Sequence, residues 1–306
     1  MADRKAEQIW KKYNSRSKLV QCLLFAIFTA GIVVTFLGDR YLVSLVLIVL
    51  CFFTTFKING SLWRKHIANI LLEDLDADLY REVIEAAGLD NSPLFSMESR
   101  FFVGNVEGAI SFGEDLLKIE AFAKKNAHLT LLLLAEYNFI IGDDAALASA
   151  CKRFCELPQN NSKKYRLQLS RIENYEMFLA GDYEALNRPV GKKRKDALYK
   201  LIMSYCEGRI ALARGDKEKA RAIFSETAVT GEKTVVGKMS LSIINALDTG
   251  SDHCEPVVLF PNESVNAEVM HDNFTESVKK SRIKLIISLI IMAIGLFFYF
   301  SGEFLG

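Results

Sequence analysis

The stretch Gly208–Phe224, GRIALARGDKEKARAIF, is the part of the sequence that best defines the fold. Its apolar residues have helical spacing on both sides of Gly215–Asp216. That pair predicts a tight turn, because glycine tolerates a left-handed backbone and aspartate caps a following helix. Gly208 and Ala220 are small residues at which the two helices can cross closely. Phe224 follows Ala220 by four residues on the same helix face, so we expect its ring to fill the space beneath the crossing.

The same turn recurs along the central region of the chain. A glycine followed by Asn or Asp stands at Gly104–Asn105, Gly142–Asp143, Gly181–Asp182 and Gly215–Asp216. These glycines are 38, 39 and 34 residues apart. Five positions after each glycine stands an apolar residue: Ala109, Leu147, Leu186 or Ala220. The spacing predicts repeated helical hairpins, in which the glycine ends one helix and the polar residue begins the next.

These hairpins resemble the tetratricopeptide repeat, whose pattern has a glycine and then Ala-x3-Phe at the spacing of Gly208, Ala220 and Phe224. The resemblance covers about residues 93–231. It is weaker in the first unit, where Met97 takes the small-residue position, and in the third, where Pro189 is expected to shorten the second helix. The resemblance implies a solenoid that binds another protein or peptide. A generic solenoid of helical hairpins is the alternative.

The resemblance also implies where such a partner would bind. In the family the first helix of each unit lines the concave side, and polar residues there are the expected protein contacts: Glu136, Asn138, Arg171, Asn174, Arg209 and Arg214. Residues 232–247 are expected to form a terminal capping helix, because the last repeat otherwise exposes an apolar face. Upstream of the array, residues 63–87 have helical spacing and predict one helix that ends before Gly88.

Three uncharged apolar runs flank this region, at 19–37, 41–56 and 285–300, and they predict spans at about 19–37, 41–58 and 284–300. Runs of this length predict membrane spans. Lys and Arg cluster before the first run, after the second and before the third, which predicts that the N-terminus and the central domain are cytoplasmic and the C-terminus outside. We therefore expect an integral protein of a membrane, a bacterial plasma membrane by preference.

The predicted fold class is all-α: a transmembrane hairpin plus a C-terminal transmembrane helix flanking a tetratricopeptide-like helical-hairpin solenoid. The expected divisions are 1–62 for the N-terminal segment and hairpin, 63–250 for the helical domain, 251–276 for a linker, and 277–306 for the last helix. A basic loop joins the third and fourth units: Arg188, Lys192, Lys193, Arg194 and Lys195. Each base near an anionic leaflet contributes about 1 kcal/mol, so the loop predicts a lipid-headgroup contact. A solvated linker is the alternative.

The sequence carries no motif that indicates an enzyme. It has no phosphate-binding loop, nucleophile elbow or HExxH pattern, and we expect no cofactor, no metal and no small-molecule substrate. A net charge of +1 does not indicate nucleic-acid binding. Six cysteines without a CxxC pair favour a reducing compartment over a disulfide scaffold. Cys151 and Cys155 are interpreted as small residues of a hairpin interface, and His253–Cys254 lacks a second, spaced ligand pair.

These patterns together predict a membrane-anchored protein-interaction scaffold that presents a tetratricopeptide-like domain to an unknown protein or peptide on the cytoplasmic side. Two alternatives stay open. One is an accessory subunit of a membrane transporter or secretion complex. The other is an enzyme with a site in the linker at 248–275, near His253 and Cys254.

Overall fold

The computed structural model describes residues 2–37, 43, 46–47, 50, 66–89, 92–159, 161–188, 196–250, 266–280 and 283. Every regular element within these ranges is helical, so the all-α character of the predicted fold is confirmed. The chain begins with α1, Ala2–Leu37. Its first half packs through Ala6, Ile9 and Trp10 on the buried core of the following helices. Its second half exposes Leu19, Leu23, Ile27 and Val34.

The predicted membrane architecture is wrong. The first predicted span, 19–37, is the second half of the 36-residue α1, whose first half carries charged side chains, including the ion pair of Lys11 with Glu7 at 3.1 Å. Across the residues that the structure describes, no helix combines the length and the apolar composition needed to cross a membrane. The same finding overturns the predicted integral-membrane localisation. Most of the second predicted span, 41–58, and all of the third, 284–300, lie outside the described residues.

The single helix predicted for 63–87 is interrupted. Residues 66–72 are helical, and after a break the chain resumes as α2, Ala77–Ala86. At the break Leu75 has a φ of 54°, a left-handed conformation that ends a helix. Asp76 then caps α2, its carboxylate accepting a hydrogen bond from the Leu79 backbone N–H at 3.1 Å. The helical spacing is continuous across this point, which is why periodicity did not reveal the break.

Four helical units follow, each built around one of the predicted glycine turns. Their first and second helices are α3 and α4, Pro93–Val103 and Val106–Lys118; α5 and α6, Glu120–Ile141 and Asp144–Glu156; α7 and a 3-10 helix, Lys163–Leu179 and Tyr183–Asn187; and α8 and α9, Ala197–Ala213 and Lys217–Thr230. The shortened second helix of the third unit agrees with the prediction made from Pro189. The array ends with α10, Val235–Thr249, close to the capping helix predicted at 232–247.

The predicted left-handed glycine is confirmed at all four turns, and the predicted polar cap at three of them. Gly104, Gly142, Gly181 and Gly215 all have φ between 77° and 103°, which glycine adopts without steric cost. The following Asn105, Asp143 and Asp216 each accept a hydrogen bond from a backbone N–H three residues on, at 2.9–3.1 Å. Asp182 makes no such cap. The hairpins therefore fold back through one repeated local structure, and only the third unit departs from it.

Each well-defined hairpin crosses at the same register. In the fourth unit a Cβ added to Gly208 would lie 2.7 Å from the Phe224 ring, so the glycine leaves the space that the ring occupies, as predicted. The equivalent pair in the first unit has the sizes reversed, because Met97 fills the space that Gly113 leaves. In the second unit the pair is Ala135 and Cys151, both buried. The two residues at each crossing therefore divide the space between the helices differently, and the helices still pack closely.

The two ends of the array contact each other. Besides packing on α9, the last helix α10 contacts α3 and α5. Lys238 lies in the first half of α10. Its ammonium group donates a hydrogen bond to the Val103 carbonyl oxygen at the end of α3, at 3.2 Å. Lys233 forms an ion pair with Asp76 at 2.7 Å. Burial lowers the pKa of Lys238, so this contact is sheltered from solvent. The helical stretch 267–280 packs on the hydrophobic core through Ala267, and its His271 ring lies against the Phe122 ring.

Candidate binding groove

A groove of about 380 Å³ lies along the inner side of the array. Its lining residues come from the stretch 66–72, from α2, from the first helices of all four units, α3, α5, α7 and α8, and, through Leu186, from the 3-10 helix of the third unit. Residues at the two ends of the basic loop, Arg188 and Asp196, also contribute. The volume falls in the range of sites that hold a small molecule or a few side chains of a bound segment.

One side of the groove carries an ordered charge pair. Arg171 on α7 contacts Glu136 on α5 at 2.8 Å, with 39% and 14% of the two side chains exposed. The charge of Glu136 raises the pKa of Arg171, and Arg171 also hydrogen bonds Tyr175. Burial raises the pKa of Tyr175 well above its usual value, and burial raises that of Cys206 to about 12. Both groups therefore stay protonated at neutral pH, and the fixed charges here are those of the pair.

The groove also holds a second carboxylate, which lies beside two tyrosines. The Tyr80 hydroxyl donates to Glu98 at 2.9 Å. Tyr137 stacks on Phe101 with ring centroids 3.6 Å apart, and its buried hydroxyl has no hydrogen-bond partner among the described residues. Burial, and then the charges of Glu98 and Glu136, raise the pKa of Tyr137 well above its usual value. The electrostatic potential at the Tyr137 hydroxyl is therefore negative, and both carboxylates contribute to it.

Apolar and aromatic side chains complete the lining. The apolar ones include Leu71, Leu72, Leu133, Leu198, Ile202 and Met203. The aromatic ones are Tyr80, Phe102, Tyr137, Tyr175 and Tyr199. A surface of this kind offers area for an apolar side-chain stem, ring faces for a cation, and a small number of fixed polar groups that orient a ligand.

Three of the six predicted protein contacts lie together in this groove: Glu136, Arg171 and Asn174. They come from two adjacent first helices, α5 and α7. Asn174 is largely buried, and its amide donates to the Arg188 carbonyl oxygen at 3.5 Å. The structure thus brings these three residues to one site, although whether they bind a protein stays a prediction.

The other three predicted contacts are not in the groove. Asn138 is buried and donates to the Leu134 carbonyl oxygen within α5 at 2.9 Å. Arg209 joins α8 to the second turn, donating to the Phe139 carbonyl oxygen at 2.6 Å and lying 3.2 Å from Asp144. Arg214 forms an exposed ion pair with Glu184.

The predicted lipid-contact loop is described only at its start. Arg188 pairs with Asp182, and Lys192, Lys193, Arg194 and Lys195 lie outside the described residues. His253 and Cys254, of the alternative enzyme site, lie outside them as well. Cys151 is buried in its hairpin interface as interpreted, whereas Cys155 is exposed beside Glu176.

Sequence reasoning missed Tyr80, Glu98 and Tyr137. A signal for Glu98 was present: it precedes Gly104 by six residues, as Glu136 precedes Gly142. Equivalent positions of two repeats face the same side of the array, so the carboxylate recognised at Glu136 has a counterpart one unit earlier. Tyr80 precedes the array, and no repeat register could have placed it.

Comparison with known proteins adds no relative, since the chain matches no family model, no curated protein and no solved structure. The resemblance to tetratricopeptide repeats therefore depends on the hairpin pattern within this chain alone. The function has to be argued from the groove itself.

Proposed function

We propose that the protein is a protein-binding module whose groove holds a segment of a partner chain. The observation that carries the proposal is the groove on the inner side of the four first helices, where apolar walls stand beside the fixed pair Glu136–Arg171. A peptide segment presents both apolar side chains and polar backbone groups, so it complements both kinds of surface. The hairpins that hold the lining are packed through a continuous core, which lowers the entropic cost of binding.

The test is a selection of binding peptides from a random library with the full-length protein as bait. Two variants place a bulky charge in the groove, Leu133→Arg and Ile202→Arg. The matched control is Leu241→Arg on the exposed face of α10, where the same substitution leaves the groove unchanged. We expect the groove variants to weaken binding of a selected peptide about 10-fold or more, which corresponds to about 1.4 kcal/mol.

The control variant should bind within about twofold of the wild type, a difference below about 0.5 kcal/mol. Helical content measured by circular dichroism, and the urea midpoint, identify any variant that fails to fold. The proposal is wrong if folded Leu133→Arg and Ile202→Arg bind the selected peptides as tightly as the wild type. It is also wrong if the library yields no peptide that the groove variants exclude.

A further inference from the structure

The charges that line the groove point to the chemistry of its ligand. Its described lining has three carboxylates, Glu98, Glu136 and Asp196, and two guanidinium groups, Arg171 and Arg188. Both guanidinium groups already contact a carboxylate. Arg171 contacts Glu136, and Arg188 contacts Asp182, which is not a lining residue. By formal charge the lining therefore has one more negative group than positive groups. Its carboxylates also have contacts: Glu98 with the Tyr80 hydroxyl, Glu136 with Arg171, and Asp196 with the Tyr199 backbone N–H.

A second observation concerns Tyr137. Its side chain is 1% exposed and belongs to the lining, yet its hydroxyl has no partner among the described residues. A buried hydroxyl without a hydrogen bond destabilises the folded state, and native structures rarely leave one unsatisfied. The hydroxyl oxygen has lone pairs for a donor, and the negative field of Glu98 and Glu136 favours a positively charged one.

We propose that the groove binds a basic side chain of the partner segment, a lysine or an arginine, whose charged head approaches Glu98 and Glu136. The inference depends on the proposed function, because it names which part of the partner segment enters the groove. The aliphatic stem of such a side chain packs on Leu133 and Ile202, which line the same groove.

The experiment uses the peptides selected with the full-length protein. Each lysine of a bound peptide is replaced by norleucine and each arginine by citrulline, which keep the stem and remove the charge. We expect one such replacement to weaken binding about 10-fold or more, since hydrogen bonds between charged groups are the strong ones. The loss of affinity caused by replacing the basic residue should depend on ionic strength, because it removes a charge contact. The loss caused by replacing an apolar residue of similar length elsewhere in the peptide should not.

The protein side of the test is the pair of variants Glu98→Gln and Glu136→Gln. Glutamine keeps the size of the side chain and can still accept from Tyr80 or Arg171, while the negative charge is lost. Glu173→Gln is the matched control, since this exposed glutamate lies on α7 but not in the lining. We expect the two groove variants to weaken the basic peptide about 5–10-fold and the control to leave it unchanged.

The decisive measurement is the combination of the two changes. If the head of the basic side chain lies at these carboxylates, the norleucine or citrulline peptide should lose little further affinity on Glu98→Gln, so the two effects are not additive. Additive effects would show that Glu98 acts only on the structure of the groove, and would overturn the inference.

The outcomes separate this inference from the proposed function. If Leu133→Arg abolishes binding but the selected peptides contain no basic residue, or contain an acidic one that is essential, the inference is wrong and the protein-binding function stands. If no selected peptide depends on the groove, the function fails and the inference fails with it.

Discussion

His128 shows how a single residue of this fold responds to its surroundings. Its ring lies edge-on to Phe154 and Tyr165, with centroids 5.1 and 5.0 Å away. Its Nε2 atom is buried without a hydrogen-bond partner among the described residues. Burial lowers the pKa of His128, and the hydrogen bond to the Pro158 carbonyl opposes this only in part. The neutral ring is therefore the form that the folded protein prefers.

We predict that His128 makes the folded state less stable in acid. In the unfolded chain the imidazole takes up a proton near its usual pKa of 6.5, whereas the folded state resists protonation until a lower pH. The stability that His128 contributes is present above pH about 6.5 and is lost as the pH falls toward the folded pKa. Urea denaturation at pH 7.5 and 5.5 measures the loss.

The variant His128→Phe should show a smaller decrease in stability between these two pH values than the wild type. His271→Gln serves as the control, because His271 lies beside Asp272 and the Phe122 ring rather than among Phe154 and Tyr165. An equal decrease in wild type and His128→Phe would show that this histidine does not contribute to the pH dependence.

At the scale of the elements, the hairpin crossings explain how irregular repeats form one array. Met97 and Gly113 hold the same positions as Gly208 and Phe224, seven residues before and nine after the turn glycine. In both units one partner is large and the other is glycine, with the order reversed. A repeat pattern that specifies residue type at each position fails here, because the large residue and the glycine exchange positions between the two units.

We predict that Gly208→Ala destabilises the protein and that Gly113→Ala does so less. The new Cβ at position 208 would meet the rigid, fully buried Phe224 ring at 2.7 Å, whereas at position 113 it would meet the flexible end of Met97. Overpacking costs about 1–3 kcal/mol, and the better helix propensity of alanine offsets up to about 1 kcal/mol. Methionine adapts to a new neighbour more easily than phenylalanine.

The free energies of unfolding of both variants, measured by urea denaturation, test this order. In the double variant Gly208→Ala, Phe224→Leu, the smaller side chain should relieve the overlap, so its loss should be less than the sum of the two single losses. A strictly additive result, or a larger loss for Gly113→Ala, would contradict the volume argument.

The element scale is also where the sequence was most informative. The turns at Gly104, Gly142, Gly181 and Gly215 were predictable because the left-handed glycine is a local requirement at all four, and a capping Asn or Asp is one at three. The break at Leu75 was not, since a left-handed leucine has no sequence signature and is held by the surrounding packing. For α1 the apolar run was read apart from the charged helix that it continues, which led to the wrong membrane prediction.

The site could be predicted only in part, because distance from a turn places a residue on a helix but does not give its contacts with other units. Glu136, Arg171 and Asn174 could be placed on first helices by their distance from a turn, and these three do line the groove. Arg209 was equally well placed by that rule, but it is held by the Phe139 carbonyl oxygen and Asp144. Whether a side chain enters the groove or bonds to a neighbouring turn depends on contacts between units, which a repeat register does not contain.

At the scale of the whole molecule, contacts join the last helix to the start of the fold. Lys238 and Lys233, at the end of the array, contact Val103 in its first unit and Asp76, the cap of α2 just before it. Sequence reasoning could not find these contacts, because they join positions 135 and 157 residues apart. The helices that line the groove lie between these two ends, so the closing contacts limit how far the lining can open.

We predict that Lys238→Met destabilises the protein by about 1–2 kcal/mol, because the Val103 carbonyl loses its charged donor. Lys233→Met should cost less than about 1 kcal/mol, as its ion pair is partly exposed. Hydrogen exchange should become faster in both 93–103 and 235–249, although neither variant changes the first segment.

Lys152→Met, on the exposed face of α6, is the control and should leave exchange in both segments unchanged. Faster exchange confined to 235–249 in Lys238→Met would mean that the lysine stabilises only its own helix. Loss of the contact between the ends would then leave the local stability of α3 unchanged.

An open row of repeats can gain a copy at its tail by gene duplication, since each new copy finds a vacant surface on which to stack. Here that surface is occupied: α10 sits on α9 and reaches back to α3 and α5. An extra hairpin would have to displace α10, and Lys238 would then lose its reach to Val103. An added unit would therefore require the loss of the contacts that α10 makes with α3 and α5.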